Sequence, residues 1–544
     1  MKKIILVGLL LVTGTTFSQN LDSLYNQLLQ LRGIKFPNTK KQVTSSNRPV
    51  KCGFEIVNQA KLNYNKFTKE QQKIITNLLD RPTRDTSVVS PAGKFRIHFN
   101  KTGVDAPTYD IGELEKAADS SYNFEVNIMG FPPPPKDNGA GGDDCYDIYI
   151  QNLGGGAYGY TELDQPIGDS TYTAFSVIDY NFGSGFYTHG INAAKVTVAH
   201  EFHHGIQIGN YIYRPVDTYY HELTSVSMEE FVFDDVDDYI NYLDEYFSMP
   251  YRSFASNDGY DLAIWNFFLK ERFGFGIIKR TWELMPKERA LQTITDAIQE
   301  RGSNFKIEFN TFGQWTYFTN DRAVPGRYFK EAAMYPLLQP FQTLPFVKPA
   351  SDVTVNSEAV SNNFLVFNDS SNGSSNKLVS IISNCNISGG INMPFAVLPF
   401  TYTLSSQQNT GLQKIVDGYY SKIESEYNFF LSESDIFNNI PVDNGKIMSS
   451  EINYVFPQPF RYSKNSQIYF PTLTNGEGIA ELFIYSINMD LIYSGQQRII
   501  ATDKIVVRWD GMTSNGKRLG TGVYFYVTKS NNQIKKGKFV VFND

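Results

Sequence analysis

The decapeptide Val196-Thr-Val-Ala-His-Glu-Phe-His-His-Gly205 decides how the rest of the chain is read. Within it His200, Glu201 and His204 spell H-E-x-x-H. On a helix of about 3.6 residues per turn, positions i and i+4 stand one above the other, so both imidazoles can grip one metal ion from the same side. Glu201 follows the first imidazole and reaches a water on that metal, the place of the general base in a zinc hydrolase. The chain holds six histidines, so a chance match to this pattern is rare. The plain alternative is a helix that carries surface histidines.

Two imidazoles are not a catalytic zinc site, which takes three protein ligands and leaves one position open. The stretch from Tyr219 to Phe233 is the natural source of the third. Glu222 stands 18 positions after His204, room for one helix to end, a loop to cross and a second helix to return a carboxylate. Glu229 and Glu230 are rivals, and Glu229 shares the face of Glu222 because seven residues make about two turns. The reading taken is Glu222 as ligand, with Glu229 supporting it, against a solvated acidic face for Glu229 and Glu230. His203 and His221 read as supporting or surface imidazoles.

Working outward, Phe95-Arg-Ile-His-Phe99 alternates like a strand, as do Asp147-Ile-Tyr-Ile150 and Tyr172 to Tyr180, with flexible Gly154-Gly-Gly-Ala-Tyr-Gly-Tyr160 between them. A mixed sheet against the motif helix is expected. Tyr260 to Arg272 is apolar nearly all round and reads as a buried helix. Tyr260 itself reads as a core tyrosine, with donation to a developing oxyanion as the alternative. Toward the N-terminus, Leu21, Leu24, Leu28 and Leu31 recur at helical spacing, and Thr68-Lys-Glu-Gln71 has the form of a capping box opening a helix that stops before Arg81-Pro82. Between these helices Lys51-Cys52-Gly53 looks like a loop. In a pro-segment Cys52 could cap the metal of a latent enzyme, thiolate being a good zinc ligand. An ordinary buried or disulfide-bonded cysteine is the reading preferred.

At 544 residues the chain exceeds one core. A net charge of −7, with no dense Lys/Arg run, argues against nucleic acid as a partner. Three cysteines, Cys52, Cys145 and Cys385, are too few for a disulfide scaffold. Lys2 and Lys3, the apolar run Ile4 to Val12 and the small-x-small Thr16-Phe17-Ser18 form a signal peptide over 1–18, and no later run is long enough to span a bilayer. The expected plan is a multidomain α+β chain. Its parts are a helical pro-like segment (19–90), a zincin-like domain of mixed sheet and helices (91–330), and two β-sandwich-type domains (331–450 and 451–544). Asp/Asn-rich loops at Asp137 to Asp144 and Asp234 to Asp238 are candidates for Ca2+, without EF-hand spacing.

Two resemblances sharpen this plan. His200 to His204 followed by Tyr219-Tyr-His-Glu-Leu-Thr-Ser-Val-Ser-Met-Glu229 resembles the gluzincin metalloproteases, in which a Glu on a second helix follows H-E-x-x-H. Phe95 to Phe99 with Thr102-Gly103, Ala199-His-Glu-Phe, Gly205-Ile-Gln207 and Trp315 extend the likeness, over roughly residues 50–335, to a group of secreted bacterial metalloproteases. That resemblance implies His200, His204 and Glu222 as Zn2+ ligands, Glu201 as catalytic base, and a protein or peptide substrate. The group typically has Gly and Ala where this chain has Leu223 and Ser225, which would narrow the site or shift its helix. A catalytically impaired surface binding or adhesion protein is therefore the alternative function. Asn453-Tyr-Val-Phe-Pro-Gln-Pro-Phe460 and the Gly520-Thr-Gly-Val-Tyr-Phe-Tyr526 strand are similar to sorting domains of the type IX secretion system, with Val455-Phe456 displacing the first Pro of the opening. This implies passage across the outer membrane, with that secretion machinery as partner and a secreted or cell-surface location.

Overall fold

The computed structural model describes residues 21–34 and 50–345, and beyond them 350–356, 358–369, 376–387, 398–408, 411–422, 426–432 and most of 455–544. The signal peptide read over 1–18 lies outside the described residues, as do 453, 454 and 456 of the sorting-domain opening. The chain is a multidomain mixed α/β protein with several sheets. It divides into two units, Met1–Tyr242 with Asp258–Asn266, and Leu243–Asn257 with Phe267–Asp544. No helix among the described residues is long and apolar enough to cross a membrane.

The first unit is built on a six-stranded sheet. Its elements are α1 (residues 21–31), β1 (Val50–Cys52), α2 (Phe54–Leu62), α3 (Lys69–Leu79), β2 (Thr86–Val89), β3 (Phe95–Phe99), α4 (Ile111–Tyr122), β4 (Tyr146–Gln151), β5 (Ala157–Pro166), β6 (Tyr172–Asp179), α5 (Gly190–Asn210) and α6 (Thr218–Val232). The strand order is β1-β5-β6-β4-β3-β2, with β5 antiparallel to β6, and β6, β4 and β3 mutually parallel. The leucine repeat of α1 does what its spacing predicts: Leu28 and Leu31 are buried among Phe67, Tyr160 and Phe175. At α3 the capping box is complete, with Thr68 Oγ1 accepting from the Gln71 amide at 3.2 Å and Gln71 Oε1 accepting from the Thr68 amide at 3.0 Å.

Two places differ from the sequence reading. Lys51-Cys52 forms a strand, β1, laid parallel on β5 with Cys52 opposite Gly159. The glycine-rich stretch becomes the first half of β5, where Tyr158 and Tyr160, two residues apart and so on one face of the strand, are both buried and hold the backbone extended. Gly159 between them is required by space. A Cβ there would lie 2.8 Å from the Val177 carbonyl oxygen and 3.1 Å from Glu201 Oε1.

Helix α5 lies on β5 and β6 with α4 and α6 against it. Val196, Val198, Ala199, Phe202, Ile206 and Ile208 point in different directions around it and all are buried, so it is a central helix rather than an amphipathic one. Such a helix is held rigidly by its neighbours, which suits side chains that must keep a fixed geometry.

The second unit carries the helices Gly276–Leu284, Ala290–Glu300 and Phe305–Tyr317, followed by strands. Gly411–Lys422, Leu398–Gln408, Asn376–Asn384, Ser361–Asp369 and Gln342–Pro345 form a five-stranded sheet in that order, and Ala350–Asn356 pairs with Glu426–Ser432. A seven-stranded sheet between Phe460 and Phe542 closes the chain around Phe460, Phe470, Ile484, Trp509, Tyr526 and Phe539. Phe460, the last residue of the Pro-Gln-Pro-Phe opening, is thus a core residue of that sheet.

Candidate metal centre

Helix α5 presents His200 and His204 one turn apart, and their Nε2 atoms approach to 3.1 Å. Helix α6 brings Glu222 to them, with Oε2 3.1 Å from His200 Nε2 and 3.4 Å from His204 Nε2. Strand β1 supplies a fourth group: Cys52 Sγ and the three other ligand-type atoms all lie within 4.8 Å of one another. All four residues are buried.

The far sides of the two rings show which atoms face inward. His200 Nδ1 is 2.8 Å from Glu229 Oε1. His204 Nδ1 is 2.9 Å from Gln207 Oε1 and 3.1 Å from Ser225 Oγ. Gln207 donates through Nε2 to the His221 carbonyl at 3.0 Å, which leaves its Oε1 to accept from His204. Inferred from these partners, each ring carries its proton on Nδ1 and turns a bare Nε2 lone pair inward. Burial holds His200 down to about 4 and His204 to about 3, so both are neutral, the form in which imidazole binds a metal.

Two inward ring nitrogens and a carboxylate converge here, and Glu222 Oε1, buried, has no hydrogen-bond partner. An ideal tetrahedron with bonds of about 2.0–2.1 Å has edges of about 3.3–3.4 Å, close to the three separations found. The donor set and its spacing therefore fit a zinc-sized dication. Burial, the largest cause, raises both Glu201 and Glu222 above the usual carboxylate range.

Glu201 sits beside this group. Its Oε2 is 2.7 Å from Thr161 Oγ1 on β5, and its Oε1 is 3.2 Å from Cys52 Sγ. Gly159 provides the clearance for this carboxylate. Gly259 does similar work behind Glu222: at φ +98° a Cβ would meet the Tyr219 carbonyl oxygen at 2.1 Å and Glu222 Cβ at 3.0 Å.

Other sequence candidates find different places. Glu229 and Glu230 are buried, not a solvated face. Glu229 backs His200 and is 2.7 Å from Lys51 Nζ, which also contacts Asp238 and lies 4.8 Å from the Tyr242 ring centre. Asp238, from the acidic run read as a calcium candidate, is thereby the counter-ion of a buried lysine. In the other such loop Asp137, Asp143 and Asp144 engage Arg81, Arg96 and Lys136. His221 Nδ1 joins Gln207 Oε1 at 3.0 Å, while His203 turns away to Glu125 at 2.8 Å. Ser225, where the resembled group has Ala, is a partner of His204. Tyr260 is buried, and its hydroxyl donates to the Cys52 carbonyl at 3.0 Å. The three cysteines are free thiols, with no bridge between Cys52 and Cys145.

Sequence reasoning missed Lys51, Thr161 and Gln207. Only Gln207 carried a signal, standing three residues beyond His204 on the same helix face.

No protein-family model matches the chain, and none of the curated proteins is similar to it. Among solved structures, PorZ, an essential bacterial surface component of the type-IX secretion system of Porphyromonas gingivalis, aligns over 34% of this chain and 23% of its own, at 12% identity and TM-score 0.15. Dimeric latent PorU from Porphyromonas gingivalis aligns over 36% of this chain and 20% of its own, at 14% identity and TM-score 0.14. The chain spans less than a quarter of the length of either.

Proposed function

We propose that the chain is an exported zinc-dependent endopeptidase of gluzincin type, its zincin-like domain holding Zn2+ through His200, His204 and Glu222. The observation that carries this reading is the convergence of two inward imidazole nitrogens and Glu222 Oε2 at tetrahedral spacing, with a second carboxylate, Glu201, alongside. Zinc, when bound, supplies Lewis acidity, polarising a peptide carbonyl and making water more acidic. Glu201 takes the proton from the attacking water and returns it to the departing amine. Thr161 holds one oxygen of Glu201, leaving the other directed at the centre. Glu229, Gln207 and Ser225 fix the two rings in the tautomer that ligation needs. Export, and passage through the type IX machinery, belong to the same proposal and rest on the resemblances of residues 1–18 and 453–544.

The test is metal content and peptide cleavage of purified, zinc-loaded protein beside its Glu201→Gln variant. The reading expects about one zinc per chain in both proteins, with cleavage reduced by about 10³-fold or more in the variant. Cleavage that persists unchanged without the Glu201 carboxylate would refute the mechanism.

A further inference from the structure

We propose that Cys52 is the fourth ligand of this centre, and that the segment carrying it keeps the enzyme latent by filling the open ligand position and covering the edge of β5. The inference rests on the zinc peptidase reading and adds its regulation. A catalytic zinc site keeps one position for water, and here that position is occupied. Cys52 Sγ shares the 4.8 Å group with His200, His204 and Glu222 and is 3.2 Å from Glu201 Oε1. The thiol therefore stands between the proposed base and the proposed ligands, where the attacking water has to be. Glu222 Oε1, buried and without a hydrogen-bond partner beside it, is independent evidence that a cation belongs among these atoms.

The backbone around Cys52 is held as a bound peptide would be. Strand β1 is the outermost strand of the sheet, and without it β5 would present an open edge beside the metal group. An open strand edge next to a catalytic centre is where an extended peptide adds as a further strand. Gly53 donates to the Gly159 carbonyl at 2.8 Å, and the Cys52 carbonyl accepts from Tyr260 at 3.0 Å. Tyr260 is thus spent on a carbonyl of the segment instead of one from a substrate. Either side of Cys52 an anchor holds it down. Lys51 is buried against Glu229 and Asp238, and the Phe54 ring stacks on His204 with centres 4.0 Å apart and planes within 3°.

Activation is then a ligand exchange. Withdrawal of β1 removes the thiolate, which takes a proton from solvent, and water enters with no change of oxidation state. The same movement uncovers the β5 edge and frees Tyr260. Of the cysteines, Cys52 is the one grouped with His200, His204 and Glu222, while the Cys145 thiol donates to the Gly93 carbonyl at 3.6 Å.

The experiment uses the full chain loaded with cobalt(II), whose bond to thiolate gives a charge-transfer absorption in the near ultraviolet, followed by peptide cleavage with zinc. The expected result is an absorption present in the wild type and in Cys145→Ala but absent in Cys52→Ala. Zinc-loaded Cys52→Ala should cleave peptides about tenfold or more faster than the wild type, a gain removed by adding Glu201→Gln. Cys52→Ser, which keeps the side-chain size, repeats the comparison should the alanine variant not fold. The same measurements are made after a site-specific cut in a recognition sequence inserted behind Thr83. Bound cobalt without the absorption overturns Cys52 as ligand and leaves the zinc reading standing. An absorption with equal cleavage by wild type and variant overturns latency alone. An absorption with no cleavage by any form, cut or uncut, overturns latency and the peptidase reading together, and makes Cys52 the closing ligand of a structural zinc site.

Discussion

Glu222 and Glu229 are seven residues apart on α6 and both touch His200, yet the geometry assigns them different work. Glu222 meets the inward Nε2 at 3.1 Å, and Glu229 meets the outward Nδ1 at 2.8 Å. In the proposed centre, removing Glu222 deletes a ligand. If a structural-type site is worth about 12 kcal/mol over four ligands, one ligand's share is about 3 kcal/mol, or about 10²-fold or more in affinity. Removing Glu229 leaves all ligands in place but frees the ring and its proton, which costs about 10–100-fold, or about 1.4–2.7 kcal/mol. Glu229→Ala also strips Lys51 of one of its two carboxylates, so its affinity loss should be accompanied by a fall in melting temperature of the metal-free protein, which Glu222→Ala should not show. The assay is zinc competition against a chromophoric chelator, with thermal unfolding of the metal-free variants alongside. The assignment is refuted if Glu229→Ala loses as much zinc affinity as Glu222→Ala or more, since Glu229 would then be the ligand. Unchanged affinity in both variants would remove the metal centre altogether.

Four further expectations concern the surroundings. Phe54, fully buried and stacked on His204, should lose about 3–5 kcal/mol of stability on change to Ala, read by denaturant unfolding; a loss below about 1 kcal/mol would mean that α2 does not pack as described. Gly159→Ala should displace Glu201 or β5 and cost about 1–3 kcal/mol, with cleavage falling further than zinc content; full activity would show that the clearance is not needed. Thr68→Ala should cost about 1 kcal/mol through the lost cap on α3, and no change in unfolding midpoint would count against it. Burial raises the Glu162 carboxyl from 4.5 to about 7, partly offset by Lys61 at 2.6 Å. Its folded form holds a proton that the unfolded chain releases, so this group's contribution is fully present below about 4.5 and declines as pH rises to about 7. The span is roughly 3 kcal/mol, and Glu162→Gln should flatten the melting temperature over that window; an unchanged slope would assign it to other groups.

How much of this was legible in the chain follows from the range of the forces involved. The i, i+4 spacing of His200 and His204, the leucine repeat at 21–31 and the Thr68 to Gln71 cap are set by helix geometry within a turn or two, and sequence carries them outright. The distance from His204 to Glu222 allows a return to the site, with Glu229 on the same helix face as its support. The sequence left open which carboxylate faced the imidazole Nε2 atoms, because that depends on how α6 is rotated against α5. Lys51 and Thr161 are invisible as site residues for the same reason, each acting across a packing contact, whereas Gln207 meets His204 within its own helix. Cys52 is the sharpest case. Its neighbours Lys51 and Gly53 look like a loop, and a lone cysteine there reads as an ordinary buried one. Strand pairing with β5, decided by backbone hydrogen bonds about 100 residues away in sequence, carries its sulfur to the metal group. Local spacing determined that two imidazoles stand one turn apart on one helix face, and long-range packing decided what closes around them.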